Sequence, residues 1–247
     1  MEEDAIVISG EDVHQAKSRK YGGDSGDHES SDPPATDPDE DADQQVNTTT
    51  LTPLRLDISG DIESPSPVSV SGERCDCCAL HTAKLWQGAR AGLDDPHAVC
   101  TLCYLTGHLD SPTAAHGRLA YLPGFAIADA INLQRRALLA ILGGDKKQKV
   151  QGERVWDWMN RHAREVEVAW GTASAVEFAH AMKRLTPNKR AQLQIRLTDC
   201  VLILPADVFE DLSLLLPTGK TARSVLSSYS WGTYTRSDMY AEPCSLD

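Results

Sequence analysis

The sequence lacks any long apolar run and any recognisable export signal. No stretch of its 247 residues approaches the about 18 consecutive apolar residues that a membrane-spanning helix requires. The start of the chain is polar and acidic, without the basic segment and apolar core of a signal peptide. We therefore expect a protein of the reducing cytoplasm, in which Cys200 and Cys244 are free thiols.

The distribution of charge along the sequence does not favour nucleic-acid binding. Residues 1–72 contain 17 acidic and 4 basic residues, a net charge of −13, whereas residues 73–247 contain 19 acidic and 20 basic residues, a net charge of +1. Contacts with phosphates need a concentrated basic patch. The acidic arm and the neutral folded part both disfavour such contacts, so we expect no direct nucleic-acid ligand.

The common catalytic and nucleotide-binding motifs are also missing. Gly219-Lys-Thr221 is similar to the end of a phosphate-binding P-loop, but Leu214 stands where that motif needs glycine. We find no Ser/His/Asp set, no paired catalytic carboxylates and no Gly-rich nucleotide loop. The sequence therefore does not predict an enzyme.

Both ends of the chain have little apolar content. Residues 1–50 are rich in Asp, Glu, Ser, Gly, Pro and Thr, which predicts a disordered acidic arm because burial cannot offset the entropy lost on ordering. The apolar residues 5–8 are a candidate docking segment within it. Residues 217–247 form a polar tail whose aromatic residues fit either a binding segment or a strand packed back on the domain. These are Tyr229, Trp231, Tyr234 and Tyr240.

Two CxxC motifs dominate the remaining chain. Cys75 and Cys78 form the first, Cys100 and Cys103 form the second, and 21 residues separate them. Each motif places two thiolates on a tight turn, and Zn²⁺ prefers four such ligands in a closed tetrahedral shell. Disulfides would need an oxidising compartment instead. The spacing thus predicts a structural zinc site without an open position for activating water.

Three further side chains lie close to these motifs in the sequence. Cys77 lies inside the first motif, but Cys75 with Cys78 is the regular pair, and ligation by Cys77 and Cys78 would force neighbouring side chains onto one ion. His81 and His97 are the nearest possible substitutes, although a histidine beside four cysteines is more often a surface residue. Whether any of the three contributes to the metal site stays open at this point.

The folded domain is predicted to span residues 51–216 and to begin with a strand. Leu54, Leu56 and Ile58 alternate with Arg55 and Asp57, as in a half-buried strand. A Ser/Pro-rich linker follows at 60–72, and the zinc module occupies about 73–108. Short strands are predicted at 118–123 and 201–205, and helices at 127–142, across 155–166, from residue 174, at 187–196 and at 206–216.

Some side chains of these helices have specific predicted roles. Arg135 and Arg136 fall off the apolar stripe of the helix at 127–142. His162 lies on an apolar face and is predicted to pack in the core. Ser174 and Glu177 have the spacing of a capping box, which would start a helix at that point.

The order of strand, CxxC motif, loop, CxxC motif, Tyr-Leu-Pro segment and amphipathic helix resembles the DotN (IcmJ) family of type IVB secretion and related conjugation machinery. The resemblance covers about residues 51–216. The matching positions are Cys75, Cys78, Cys100, Cys103, Leu119, Tyr121, Leu122 and Pro123.

The predicted fold is α+β: a small zinc-binding module with short strands packs against a mainly helical body flanked by disordered arms, and the resemblance implies that the module is HNH-like. It also implies a non-nucleolytic scaffold that binds the C-terminal segment of the type IV coupling ATPase and other coupling-complex subunits. Such a protein would be cytoplasmic and associate peripherally with the inner membrane through its partners. The alternatives are an HNH-type metal-dependent nuclease and a zinc-dependent DNA-binding regulator.

The acidic arm should be dispensable for folding, because it lacks the apolar content to join a core. Limited proteolysis of the intact protein is expected to remove residues 1–50 first and to leave a resistant fragment that begins near Leu51. Mass spectrometry of the fragments measures this boundary. Protection of the arm in the isolated protein would contradict the prediction.

Overall fold

The structure is a computed structural model that describes residues 51, 53–59, 66–88 and 97–227. The predicted acidic arm, the apolar segment at 5–8, the aromatic residues of the tail and Cys244 lie outside the described residues. The described part of the chain has an α+β fold of helices and short antiparallel strands, as predicted. Within it, no helix has the length and apolar character needed to span a membrane.

The CxxC motifs belong to a small antiparallel layer followed by a helix. Strand β1 (Trp86–Gln87) pairs with β2 (Ala98–Val99), and α1 (Thr101–Gly107) follows directly. The segment before the first motif lies along the other side of β1, where the amide of Val70 donates to the carbonyl of Leu85 at 3.1 Å. These elements hold the two motifs next to each other.

A second antiparallel pair joins distant parts of the chain. Strand β3 (Arg118–Tyr121) pairs with β4 (Cys200–Ile203), with Leu119 opposite Leu202. Both strands lie where the sequence predicted strands, and β4 is buried along its whole length. The outward amides of β3 donate to the carbonyls of Ala173 and His162 at 2.8 and 3.0 Å. The outer edge of β3 is therefore already hydrogen-bonded.

Helices make up most of the rest. The central helix α2 packs along α3, and Gly152 permits their close approach, because a Cβ there would lie 2.8 Å from the carbonyl oxygen of Ala137. A capping box formed by Asp145 and Gln148 starts α3. The helices are α2 (Ile127–Gly143), α3 (Lys146–Arg161), α4 (Ala163–Trp170), α5 (Ala175–Arg184), α6 (Pro187–Arg196) and α7 (Ala222–Leu226).

The predicted strand at 51–59 is not a strand. The backbone of Asp57 bonds instead to the end of α1, accepting from Leu109 at 2.8 Å and donating to Thr106 at 3.2 Å. A half-buried strand would expose Asp57, but this residue is buried, because its carboxylate accepts from the amide of Ile58 at 2.8 Å and lies 3.6 Å from Arg190. Hydrogen bonds to the end of α1 and the ion pair with Arg190 thus take the place of the expected sheet pairing.

Asp110 connects the segment at residues 53–59 to the helical body. Its carboxylate accepts from the amide and hydroxyl of Ser59 at 3.0 and 2.8 Å, and Lys183 of α5 lies 3.1 Å away. Although burial disfavours its charge, these hydrogen bonds and the lysine hold the pKa of Asp110 below its ordinary value. The segment therefore joins the body through a buried ionised carboxylate.

The helix predicted across 155–166 is divided at His162 into α3 and α4. The carbonyl of His162 accepts from Tyr121 of β3, which takes this residue out of the regular helical path. His162 is not a core residue as predicted: its side chain is 31% exposed, its Nδ1 lies 3.4 Å from Glu165, and its ring packs edge-on against Trp158.

Two other predictions about helices were wrong. Ser174 begins α5 but its side chain makes no capping bond, and its amide donates to Thr172 Oγ1 at 3.1 Å. The helix predicted at 206–216 is two 3₁₀ turns, Ala206–Val208 and Leu212–Leu214. Asp211 explains the break, because its side chain accepts from the amide and hydroxyl of Ser213 and competes with helical bonding.

The predicted polar tail begins with folded structure. Helix α7 packs against α2, and its residues Ala222 and Leu226 are buried. The amide of Thr218 donates to the carbonyl of His81 at 3.0 Å, next to the first CxxC motif. Packing therefore continues beyond residue 216 up to the end of the described chain.

A buried glutamine completes the outer edge of β4. Gln134 of α2 donates through Nε2 to the carbonyl of Leu202 and accepts through Oε1 from the amide of Leu204, both at 2.8 Å. The carbonyl of Leu204 also accepts from Trp156 Nε1 at 2.8 Å. The side-chain amide thus takes the place that a third strand would occupy.

Gln134→Leu should destabilise the protein by about 2–6 kcal/mol, because it leaves two buried backbone groups unpaired at about 1–3 kcal/mol each. Urea unfolding monitored by circular dichroism measures the change. Gln192→Leu, at an exposed position of α6, is the matched control and should shift stability by less than about 0.5 kcal/mol. Equal unfolding midpoints for the two variants would contradict the bridging role of Gln134.

Candidate metal centre

The first CxxC motif lies at the tip of a tight turn. The amide of Cys75 donates to the carbonyl of Leu80 at 2.8 Å, and the amide of Ala79 donates to the carbonyl of Cys75 at 3.0 Å. Ala79 has a φ of 61°, the left-handed conformation that closes the turn. This local geometry brings Cys75 and Cys78 to the same side of the turn.

The second CxxC motif lies where β2 passes into α1. Cys100 is the N-cap residue of α1, and its carbonyl accepts from Tyr104 at 2.8 Å, which places Cys103 in the first helical turn. Asp76 connects the two motifs. Its amide donates to the carbonyl of Ala98 at 2.9 Å, and its carboxylate accepts from the amide of Ala98 at 2.7 Å.

These two turns bring the four predicted cysteines together. The sulfurs of Cys75, Cys78, Cys100 and Cys103 all lie within 4.8 Å of one another and are buried. Cys78 and Cys100 are 3.5 Å apart, close to the about 3.8 Å between ligands of a tetrahedral shell with Zn–S bonds of about 2.3 Å. The donor set and its spacing therefore fit a metal ion such as zinc.

The other candidate ligands lie outside this group of four. Cys77 is buried beside it, and hydrogen bonding with Cys103 and Cys75 lowers the pKa of Cys77 to about 5. His81 is exposed at the base of the turn. His97 is partly buried, which lowers its pKa, and its ring contacts Gly88. Among the described residues, no other set of three or more potential metal ligands converges.

Cys200 is distant in sequence from the cluster and lies in β4. It is a buried free cysteine, as predicted. Burial, together with the charge of Asp199, raises the pKa of Cys200 to about 11. This thiol therefore stays protonated at neutral pH and is a poor nucleophile.

Arg135 of α2 is the site residue that sequence reasoning missed. Although it falls off the apolar stripe, it is only 4% exposed, and its Nη2 lies 3.3 Å from Cys78 Sγ and 3.0 Å from Cys100 Sγ. Its Nη1 donates to Asn132 Oδ1, and Asn132 Nδ2 donates to the carbonyl of Cys78 at 3.3 Å. No spacing rule could find this residue, because its contact depends on how α2 packs on the motifs.

The charge of Arg135 fits a cluster of thiolates. Burial alone would lower the pKa of Arg135, but the sulfurs of Cys100, Cys78 and Cys103 raise it above its ordinary value, so the guanidinium stays charged. Hydrogen bonding with Cys100 lowers the pKa of Cys78, and Arg135 adds to this effect. A buried cation without a compensating anion costs several kcal/mol. Metal-bound thiolates would supply that anion.

Comparison with known proteins does not place the chain in a family. No family model matches it, and no curated protein matches it at a significant level.

Purified protein should contain about one zinc ion per chain, which elemental analysis measures. Cys100→Ser should lose the zinc and unfold the motifs, because structural zinc contributes about 10–16 kcal/mol of apparent binding free energy. Cys244→Ser is the matched control and should keep both zinc and fold.

Cys77→Ser tests whether the first motif binds the metal through Cys75 and Cys78 or through Cys77 and Cys78. If the four clustered sulfurs are the ligands, this variant should retain one zinc ion, since Cys77 lies outside the group. Loss of zinc from Cys77→Ser alone would contradict the assignment. Metal-free wild-type protein that is soluble and well folded would contradict the zinc site altogether.

Proposed function

We propose that this protein is a zinc-stabilised, non-catalytic adaptor. The observation that carries the proposal is the convergence of four buried cysteine sulfurs on one point, with a buried arginine against two of them. Four thiolates around Zn²⁺ leave no coordination position for a substrate or an activated water. The metal would therefore hold protein surfaces in place.

The position of the cluster supports this role. The first motif precedes β1, the second begins α1, and Arg135 belongs to α2 of the helical body. Asn132 adds a hydrogen bond from the same helix to the backbone of Cys78. A metal ion at this junction would fix the angle between the small antiparallel layer and the helices, and with it the surface offered to a partner.

The partner we propose is the C-terminal segment of a type IV coupling ATPase, together with other coupling-complex subunits. The resemblance to the DotN (IcmJ) family supports this assignment. So does the order β1, β2, α1, which is the ββα order expected of an HNH-like module. In this proposal the protein is cytoplasmic and meets the inner membrane through its partners.

An affinity pull-down from the native host, analysed by mass spectrometry, tests the proposal. The wild-type protein should recover a membrane-anchored coupling ATPase. Cys78→Ser and Cys103→Ser should lose it, because metal loss releases the surfaces that the zinc positions. Cys244→Ser is the control that should recover it unchanged.

Two outcomes would overturn the adaptor function. Recovery of only DNA or transcription proteins would favour the zinc-dependent regulator, and the binding should then be strongly salt-dependent. Plasmid cleavage with Mg²⁺ or Mn²⁺ that is abolished by His81→Ala or His97→Ala would favour the nuclease, since such an enzyme needs an imidazole near the phosphate.

A further inference from the structure

Arg135 is a charged side chain that is buried in the described part of the chain. Its guanidinium contacts one sulfur from each CxxC motif, Cys78 at 3.3 Å and Cys100 at 3.0 Å. Its Nε is buried without a hydrogen-bond partner. Among the described residues, no carboxylate pairs with it. The sulfurs are therefore its available counter-charge.

We infer that Arg135 is a positioning residue of the metal centre, which compensates the charge of the metal–thiolate cluster and retains the metal without binding it. This inference rests on the zinc site proposed above. Zn²⁺ with four thiolates has a net charge of −2, and one adjacent guanidinium halves it. In a buried site this compensation is large, because water does not screen the charges.

The hydrogen bonds around Arg135 fix its direction. Asn132, one turn earlier on α2, accepts from Nη1 and donates to the backbone of Cys78 at 3.3 Å. The side-chain amide of Asn132 thus fixes the position of the guanidinium relative to the first motif. Residues that orient ligands in this way typically change metal affinity by about 10–100-fold when they are replaced.

Arg135 also joins the two motifs to each other. Since it contacts one sulfur from each, it favours the geometry in which Cys78 and Cys100 are adjacent. Two thiolates 3.5 Å apart repel one another when no cation is present. The guanidinium would offset this repulsion and keep the ligands close together for the incoming metal.

Zinc affinity, measured by competition with a chromophoric chelator, tests the inference. Arg135→Gln should weaken zinc binding about 10–100-fold. Arg135→Lys keeps the charge on a shorter side chain and should restore part of the affinity. Arg164→Gln, at an exposed position of α4, is the matched control and should bind zinc like the wild type.

Replacing zinc with cobalt gives a spectroscopic signal, the sulfur-to-cobalt charge-transfer band, whose energy would not change if Arg135 had only a structural role. A guanidinium beside the sulfurs stabilises their lone pairs and raises the energy of the sulfur-to-cobalt charge-transfer band. In Arg135→Gln the band should therefore shift to longer wavelength. Asn132→Ala should give a smaller shift in the same direction, because it removes the orientation but keeps the charge.

The outcomes separate this inference from the zinc site itself. If wild-type protein binds no zinc, the proposed metal centre is wrong and the inference falls with it. If the wild type binds zinc while folded Arg135→Gln shows unchanged affinity and an unchanged cobalt band, only the inference is overturned. Should Arg135→Gln fail to fold, wild-type values for both Arg135→Lys and Asn132→Ala would overturn it.

Discussion

The structure depends on a buried positive charge held against buried sulfurs. Arg135 costs free energy in the core unless an anion lies beside it, and the four cysteines repel one another as thiolates unless cations lie among them. A bound metal ion and the guanidinium would together satisfy both requirements. Arg135 belongs to the central helix α2. Any change in the charge or geometry of the cysteine cluster therefore also affects how the helical body packs.

Local sequence rules predicted much of the fold. The CxxC spacing indicated which four side chains converge, because each motif needs only a tight turn. Apolar periodicity placed α2 within a residue or two at each end, and Pro187 marked the start of α6 as a residue suited to the first helical turn. Short apolar runs ending in proline located β3 and β4. These features depend on neighbouring residues alone.

The predictions from sequence failed where contacts between residues distant in the chain determine the structure. His162 interrupts a periodic helix because its carbonyl bonds to β3, and Asp57 is buried because Ile58 and Arg190 satisfy its carboxylate. Arg135 and Gln134 looked like ordinary polar positions on α2. Both are buried because they contact groups that are distant in sequence. Arg135 contacts two cysteine sulfurs, and Gln134 is hydrogen-bonded to the edge of β4. Periodicity holds no information about such partners.

The closed edges of the β3–β4 pair restrict how a partner can bind. The outward amides of Leu119 and Tyr121 in β3 already donate to the carbonyls of Ala173 and His162. On the other edge, the side chain of Gln134 is hydrogen-bonded to the backbone of Leu202 and Leu204. An incoming peptide could not extend this sheet without displacing those bonds, so strand addition is disfavoured here. A segment that binds through its side chains, such as an amphipathic helix, meets no such competition.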